Sequence, residues 1–134
     1  MDTNDLTVNN GIVNQLSLYS VTETVDRLVT VLQAKGITIF ARIDQQIEAE
    51  KVGLSLRPTQ LLLFGNPQAG TPLMVAEPTI ALDLPLKILA WEAADGKVWL
   101  SYNDANYLKQ RFSLSDELIQ NIAIVPSLVK QVLA

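Results

Sequence analysis

Two apolar runs that each carry a tryptophan, Leu86 to Ala93 and Lys97 to Tyr102, are separated by Ala94-Asp95-Gly96. An Asp-Gly pair accepts the positive φ angles of a tight hairpin, so the runs are predicted to be adjacent antiparallel strands. That hairpin constrains everything around it. Set among alternating strand and helix signals, it argues against a doubly wound parallel sheet and for an α+β fold.

The remaining elements follow from periodicity and caps. Gly11 to Tyr19 mixes apolar and polar positions as a first strand does. Ser20-Val21-Thr22-Glu23 forms a capping box. Val21, Val25, Leu28, Val29 and Leu32 then recur at helical spacing and Gly36 suits a left-handed helix end, which predicts a helix over 21–35. Ile37, Ile39, Ala41 and Ile43 alternate with Thr38, Phe40, Arg42 and Asp44, which predicts a strand with Arg42 and Asp44 facing away from the core. Asp44 suits the cap of a short helix reaching Val52, and Leu54 to Pro58 leads into a buried strand at Gln60–Phe64. Pro67 opens a helix over about 67–76 that Pro78 ends. Asn103-Asp104 suits the start of a helix through Tyr107, Leu108 and Arg111. Ser115-Asp116-Glu117 opens a last one to Val132, which Pro126 bends or splits near Ile124–Val125. The prediction is an α+β two-layer sandwich, with a mixed or antiparallel sheet of about five strands and helices on one face, as a single domain over residues 1–134.

Composition narrows the function. Net charge is −4, and the 10 basic residues are spread thinly, so no cationic stripe faces a row of phosphates and nucleic acid is not an expected partner. There is no cysteine and no histidine, which removes thiol nucleophiles, zinc clusters and imidazole chemistry; no metal and no cofactor is predicted. The opening MDTNDLTVNNG is polar and acidic where a signal peptide is basic and then apolar, and no apolar run approaches membrane-spanning length. A cytoplasmic protein without membrane attachment is expected.

Several phrases, in order and with their spacing, resemble the domain-of-unknown-function family 302. They are Ser20-Val21-Thr22-Glu23-Thr24-Val25-Asp26-Arg27-Leu28, Lys35-Gly36, Phe40-Ala41-Arg42-Ile43-Asp44, Leu56-Arg57-Pro58-Thr59, Phe64-Gly65-Asn66-Pro67, Gly70-Thr71-Pro72-Leu73-Met74, Leu82-Asp83-Leu84-Pro85-Leu86-Lys87, Trp91-Glu92 and Val98-Trp99-Leu100-Ser101-Tyr102-Asn103. The resemblance covers about residues 15–112, leaving a helical extension over 115–134. It implies a small two-layer α/β domain, often a dimer, with no established reaction. Members commonly carry a histidine after the Ile-Asp pair, where this chain has Gln45. Glutamine neither titrates near neutrality nor binds transition metals well, so roles that need that histidine are not available.

Three constellations are candidate sites. Gly65-Asn66-Pro67-Gln68-Ala69-Gly70-Thr71-Pro72 has the glycine separation of a P-loop but no lysine, and Pro67 removes a backbone donor. A strand-to-helix corner is the plainer reading; an anion or ligand pocket with Asn66 and Thr71 is the functional one. Arg42, Asp44 and Arg57, near strand ends, are able to converge there and grip a carboxylate or phosphate; otherwise Arg42 and Asp44 belong to an exposed ion-pair lattice. Asp83, Lys87 and Glu92 would rim an aromatic-walled pocket if the tryptophans line one, the alternative being core or dimer packing. Asp44, Asp83 and Glu92, with Lys87 or Tyr102, are the residues an acid–base enzyme would need to bring together. No serine sits in a nucleophile motif. The last helix is apolar around much of its surface, which suits deep docking or a second subunit. The preferred expectation is a homodimeric ligand-binding or interaction domain with a small anionic molecule near the Phe64–Thr71 corner; an enzyme and a purely structural dimerisation scaffold are the alternatives.

Overall fold

The computed structural model describes residues 6–134. Residues 1–5, the start of the polar stretch read above, lie outside the described residues. In chain order the elements are β1 (Leu6–Asn9), β2 (Ile12–Ser17), α1 (Val21–Ala34), β3 (Thr38–Asp44), α2 (Gln45–Lys51), β4 (Thr59–Gly65), α3 (Pro67–Ala76), a 3-10 segment (Pro78–Leu82), β5 (Leu86–Glu92), β6 (Val98–Asn103), α4 (Ala105–Phe112), α5 (Asp116–Ile119), a 3-10 turn (Gln120–Ile122) and α6 (Val125–Leu133). Among the described residues the fold is α+β, with a 6-stranded sheet in the order β1-β2-β6-β5-β4-β3. Every pairing is antiparallel.

The sheet has one strand more than the expected five, and the addition is β1. Asn10 and Gly11 turn it back onto β2 with φ of 54° and 78°, the double positive φ of a type I′ hairpin turn. At Gly11 the requirement is also steric: a Cβ there would lie 2.5 Å from Cγ of Tyr107. At the other hairpin, β5 and β6 place Trp91 directly opposite Trp99.

Ser20 Oγ accepts from the Glu23 N–H at 3.1 Å, starting α1 as the capping box demands. Val21, Val25, Leu28 and Leu32 of α1 meet Leu62 and Phe64 of β4, Ile88 and Ala90 of β5, and Val98 and Leu100 of β6. Leu128, Val129 and Val132 of α6 complete this core from α1's side. Within it the hydroxyls of Ser17 and Thr24 bond at 2.8 Å, Thr24 Oγ1 donating onward to the Ser20 carbonyl at 2.7 Å. A second cluster joins Leu73 of α3, Ile80 of the 3-10 segment, Leu108 and Phe112 of α4, and Ile119 and Ile122. Leu86 packs against both clusters, which places them on the same side of the sheet.

The expected last helix over 115–132 is divided. α5 runs into the 3-10 turn, and α6 begins afresh with Pro126 in its first turn, where a missing N–H breaks no hydrogen bond.

The prediction for β3 needs a correction. Its register slips between Ile39 and Ala41, a β-bulge that puts Ile39 opposite Phe64 and Arg42 opposite Leu62. One extra residue reverses the alternation, because directly paired residues share a face. Arg42 and Asp44 therefore point toward the helix side, while Ala41 and Ile43 lie on the opposite face. There they join Leu16, Leu61, Leu63, Leu89, Trp91 and Trp99, all partly exposed and covered by neither cluster. No helix among the described residues is long and apolar enough to cross a membrane.

Candidate functional site

β4 carries its buried side chains Leu62 and Phe64 to the sheet's end and stops at Gly65. Asn66 follows as the cap of α3, its Oδ1 accepting from the Gln68 N–H at 3.0 Å, with Pro67 in the first turn. That corner forms one wall of a cavity of about 600 Å³. Gly65, Asn66, Pro67, Ala69, Gly70, Thr71 and Met74 line this wall. Lys35, Ile37 and Phe40, from the end of α1 and the start of β3, line a second. Leu84, Pro85 and Leu86 close a third side, and Gln120, Asn121, Ile122 and Ile124 the fourth.

The two glycines face the opposite walls at ordinary contact distance. A Cβ on Gly65 would sit 3.5 Å from Phe40 Cε2 and 3.9 Å from Pro85 Cβ, and one on Gly70 would sit 3.8 Å from Leu84 Cδ1. The Leu84-Pro85 peptide is cis. Asn121 Nδ2 donates to the Ala69 carbonyl at 3.2 Å, tying the 3-10 turn to α3 across the cavity's edge. The lining is mainly apolar, and among the described residues Lys35 is the one ionisable group in it.

The structure brings Asn66 and Thr71 together at this cavity and leaves the other six candidates outside it. Arg42 Nη1 meets Asp26 Oδ1 at 2.7 Å and its Nε donates to Gln60 Oε1 at 2.9 Å, so its partners are in α1 and β4 and do not include Asp44. The carboxylate of Asp44 is occupied as the α2 cap, accepting from the Ile47 N–H at 3.0 Å. Arg57 is exposed in the 52–58 connection, where its carbonyl accepts from Thr59 Oγ1. Asp83 is held by Arg111 at 3.0 Å. Lys87 stands opposite Leu63 in the ladder, on the open face. Glu92 ends β5 opposite Val98, on the helix side. No hydrogen bond or ion pair joins any two of Asp44, Asp83, Glu92, Lys87 and Tyr102. Burial, and then the nearby Asp104 charge, push the Tyr102 phenol above its ordinary 10.0.

On the open face the tryptophans line a sheet surface. Trp91 Nε1 donates to Ser101 Oγ at 2.8 Å, and Ser101 in turn donates to the Asn14 side chain. A more open hollow of about 330 Å³ lies between α1 and α6, with Arg27 in its lining. There Arg27 donates to the Val132 and Ala134 carbonyls and stacks on Tyr19 at 4.1 Å.

Sequence reasoning reached the Phe64–Thr71 wall and missed the others. Lys35 enters the sequence reading only as the helix end beside Gly36, and residues 120–124 only as part of the last helix, so neither carries a local signal of the cavity.

The sequence model of the family described as "Domain of unknown function DUF302" matches residues 13–128. A crystal structure described as an uncharacterized conserved protein DUF302 from Bacillus stearothermophilus superposes with a TM-score of 0.76 at 17% identity, over 93% of this chain and 97% of that one. At that identity the likeness concerns the fold. Curated relatives named fluoride-specific ion channel FluC 1, from Brucella suis and Brucella abortus, are 45% identical over 117 residues, or 87% of this chain. The chain spans 45% and 43% of their lengths, so their name describes much larger proteins.

Proposed function

We propose that this chain, which belongs to the domain-of-unknown-function family DUF302, is a small-molecule-binding domain that works as a homodimer. The cavity carries the first half of this reading. Its volume, about 600 Å³, lies within the 300–1,000 Å³ typical of ligand sites, and its apolar lining surrounds a few polar groups, as such sites do. An acid–base enzyme draws no support, since the carboxylates, Lys87 and Tyr102 lie apart and none of them reaches the cavity.

A thermal-shift screen against metabolites, nucleotides, metal ions, haem and fluoride tests it. A true ligand at about 100 times its Kd stabilises the fold by about 2.7 kcal/mol. The shift should shrink in the Asn66→Ala, Thr71→Ala double variant. If no compound shifts the wild type, or if the double variant keeps the full response, the reading fails.

The open sheet face supports the second half. Six strands about 4.8 Å apart and about 20 Å long present roughly 550 Å² per copy, so two copies face to face bury about 1,100 Å², near the lower bound of stable interfaces. A twofold contact pairs this face with itself, with Lys87 the one charged side chain read onto it. Light scattering should give twice the mass of 14.7 kDa at micromolar concentration, and Trp99→Asp should give a folded monomer. A monomeric wild type removes the dimer.

A further inference from the structure

We propose that the cavity selects amphipathic organic monoanions, an apolar body bearing a single carboxylate, with Lys35 as the anchor for the head group. This rests on the ligand-binding reading above and adds the ligand's chemical class.

The charge of the cavity is opposite in sign to that of the chain. The chain as a whole carries −4, yet among the described residues the cavity lining holds one ammonium and no carboxylate. Lys35 makes no ion pair and no side-chain hydrogen bond in the structure; it shares the lack of an acid partner with Arg27, Arg57, Lys87, Lys97 and Lys130, but of these it alone lines the cavity. It is exposed as well as lining, which places it at the mouth of the cavity, where a long side chain keeps its charge hydrated while its stem follows apolar surface. A ligand carboxylate arriving there meets an unclaimed cation at little desolvation cost.

The polar groups of the Asn66–Thr71 wall fit the same reading, while the Gln120 and Asn121 amides of the opposite wall offer acceptors as well as donors. The Asn66 carbonyl oxygen is engaged by the Gln68 N–H, which leaves its amide N–H groups as donors, and the Thr71 hydroxyl is a further donor. Donors without acidic acceptors suit an anion and do not suit an amine. One lysine suits one charge. A nucleotide or a sugar phosphate asks for several cations or a cradle of backbone N–H groups, and the α3 turn begins with Pro67, which has none. The apolar remainder of the lining, with Phe40, Phe64, Leu86 and Ile122 on separate walls, calls for a hydrocarbon or aromatic body.

Octanoate, 1-octanol and inorganic phosphate separate these points by titration calorimetry on the full chain. Octanoate should bind about fivefold or more tighter than octanol, as a charge-assisted contact predicts, and phosphate should not compete. Lys35→Met should bring octanoate down to octanol's affinity and leave octanol unchanged. Ile122→Trp, which fills the cavity, should abolish both. Equal binding of octanol and octanoate by the wild type, or a preference that survives Lys35→Met, overturns the monoanion inference while the cavity remains a ligand site. Phosphate displacing octanoate overturns it in favour of a simple anion site. Binding of neither amphiphile at millimolar concentration removes the cavity reading itself. Unfolding midpoints of both variants within a few degrees of wild type confirm that the comparison is made on folded protein.

Discussion

Gly70→Ala should stabilise the unliganded protein and weaken its ligand. Gly70 lies inside α3, and its φ is not positive, so alanine meets no backbone obstacle. Glycine in a helix interior costs about 0.8–1.0 kcal/mol relative to alanine, through the freedom its unfolded chain loses. The new methyl would sit 3.8 Å from Leu84 Cδ1 and 3.9 Å from Met74 Cε, ordinary contact distances, and bury part of the roughly 0.8 kcal/mol a full methylene supplies. Against this, Pro72 two residues on already deprives the Gln68 carbonyl of its helical donor, so α3 is less regular than the hosts in which propensities are measured. A net gain of about 1 kcal/mol follows. For 134 residues unfolding with about 2.1 cal/mol/K each, that raises Tm by about 4 °C. Calorimetric unfolding reads the stability, and octanoate titration reads the site, where a methyl on the cavity wall should cost about fivefold in affinity. A Tm lower by more than 2 °C would refute the reasoning about the backbone. A higher Tm with unchanged octanoate affinity would show that no ligand approaches this wall.

The other glycine test has the opposite sign. Gly11→Ala combines a φ of 78° with a Cβ 2.5 Å from the Tyr107 ring, and should cost upwards of 1 kcal/mol in denaturant unfolding; a neutral result would mean that α4 yields freely. Thr24→Val removes the acceptor of the buried Ser17 hydroxyl and should cost about 1–3 kcal/mol, yet the Ser17→Ala, Thr24→Val pair should lose less than the sum, which a double-mutant cycle measures. Because folding raises the Tyr102 pKa, the unfolded chain releases that proton first as pH climbs past 10. Stability is full below pH 10 and falls through the folded value; Tyr102→Phe should flatten that alkaline limb in pH-dependent melts. Leu100→Ala, at a fully buried position, should cost about 2–5 kcal/mol.

Local signals carried the reading of the elements a long way. The Ser20 cap, the Asp95-Gly96 turn and Pro67 each act through a few neighbouring backbone groups, and each stands where its chemistry requires. Asn10-Gly11 belongs with them: the hairpin sequence that adds β1 was present, set in a stretch read only for its polarity. What was not legible depended on pairing. The bulge at Phe40 is a matter of how β3 meets β4, and no pattern within Ile37–Asp44 announces it, so Arg42 was assigned the wrong face. The cavity combined both situations. Asn66 and Thr71 were reachable because a corner is local; Lys35, Leu84 and Ile122 come from segments about 40 to 90 residues apart, and only the folded sheet brings them within reach of one ligand.

The pairing of β2 with β6 also has a consequence in time. Their strands are separated by about 80 residues, between Ser17 and Val98, and the pairing of Val13 with Tyr102 waits for the later one. At synthesis rates of about 5–20 residues per second, that interval is about 4–16 seconds. A two-stranded hairpin is marginal in water on its own, so β1 and β2 leave the ribosome as an uncompleted edge while β3, β4 and β5 already have one another to pair with. The part of the sheet made first is the part finished last, and during those seconds its unpaired strand is the place where a nascent chain of this fold is open to the wrong partner.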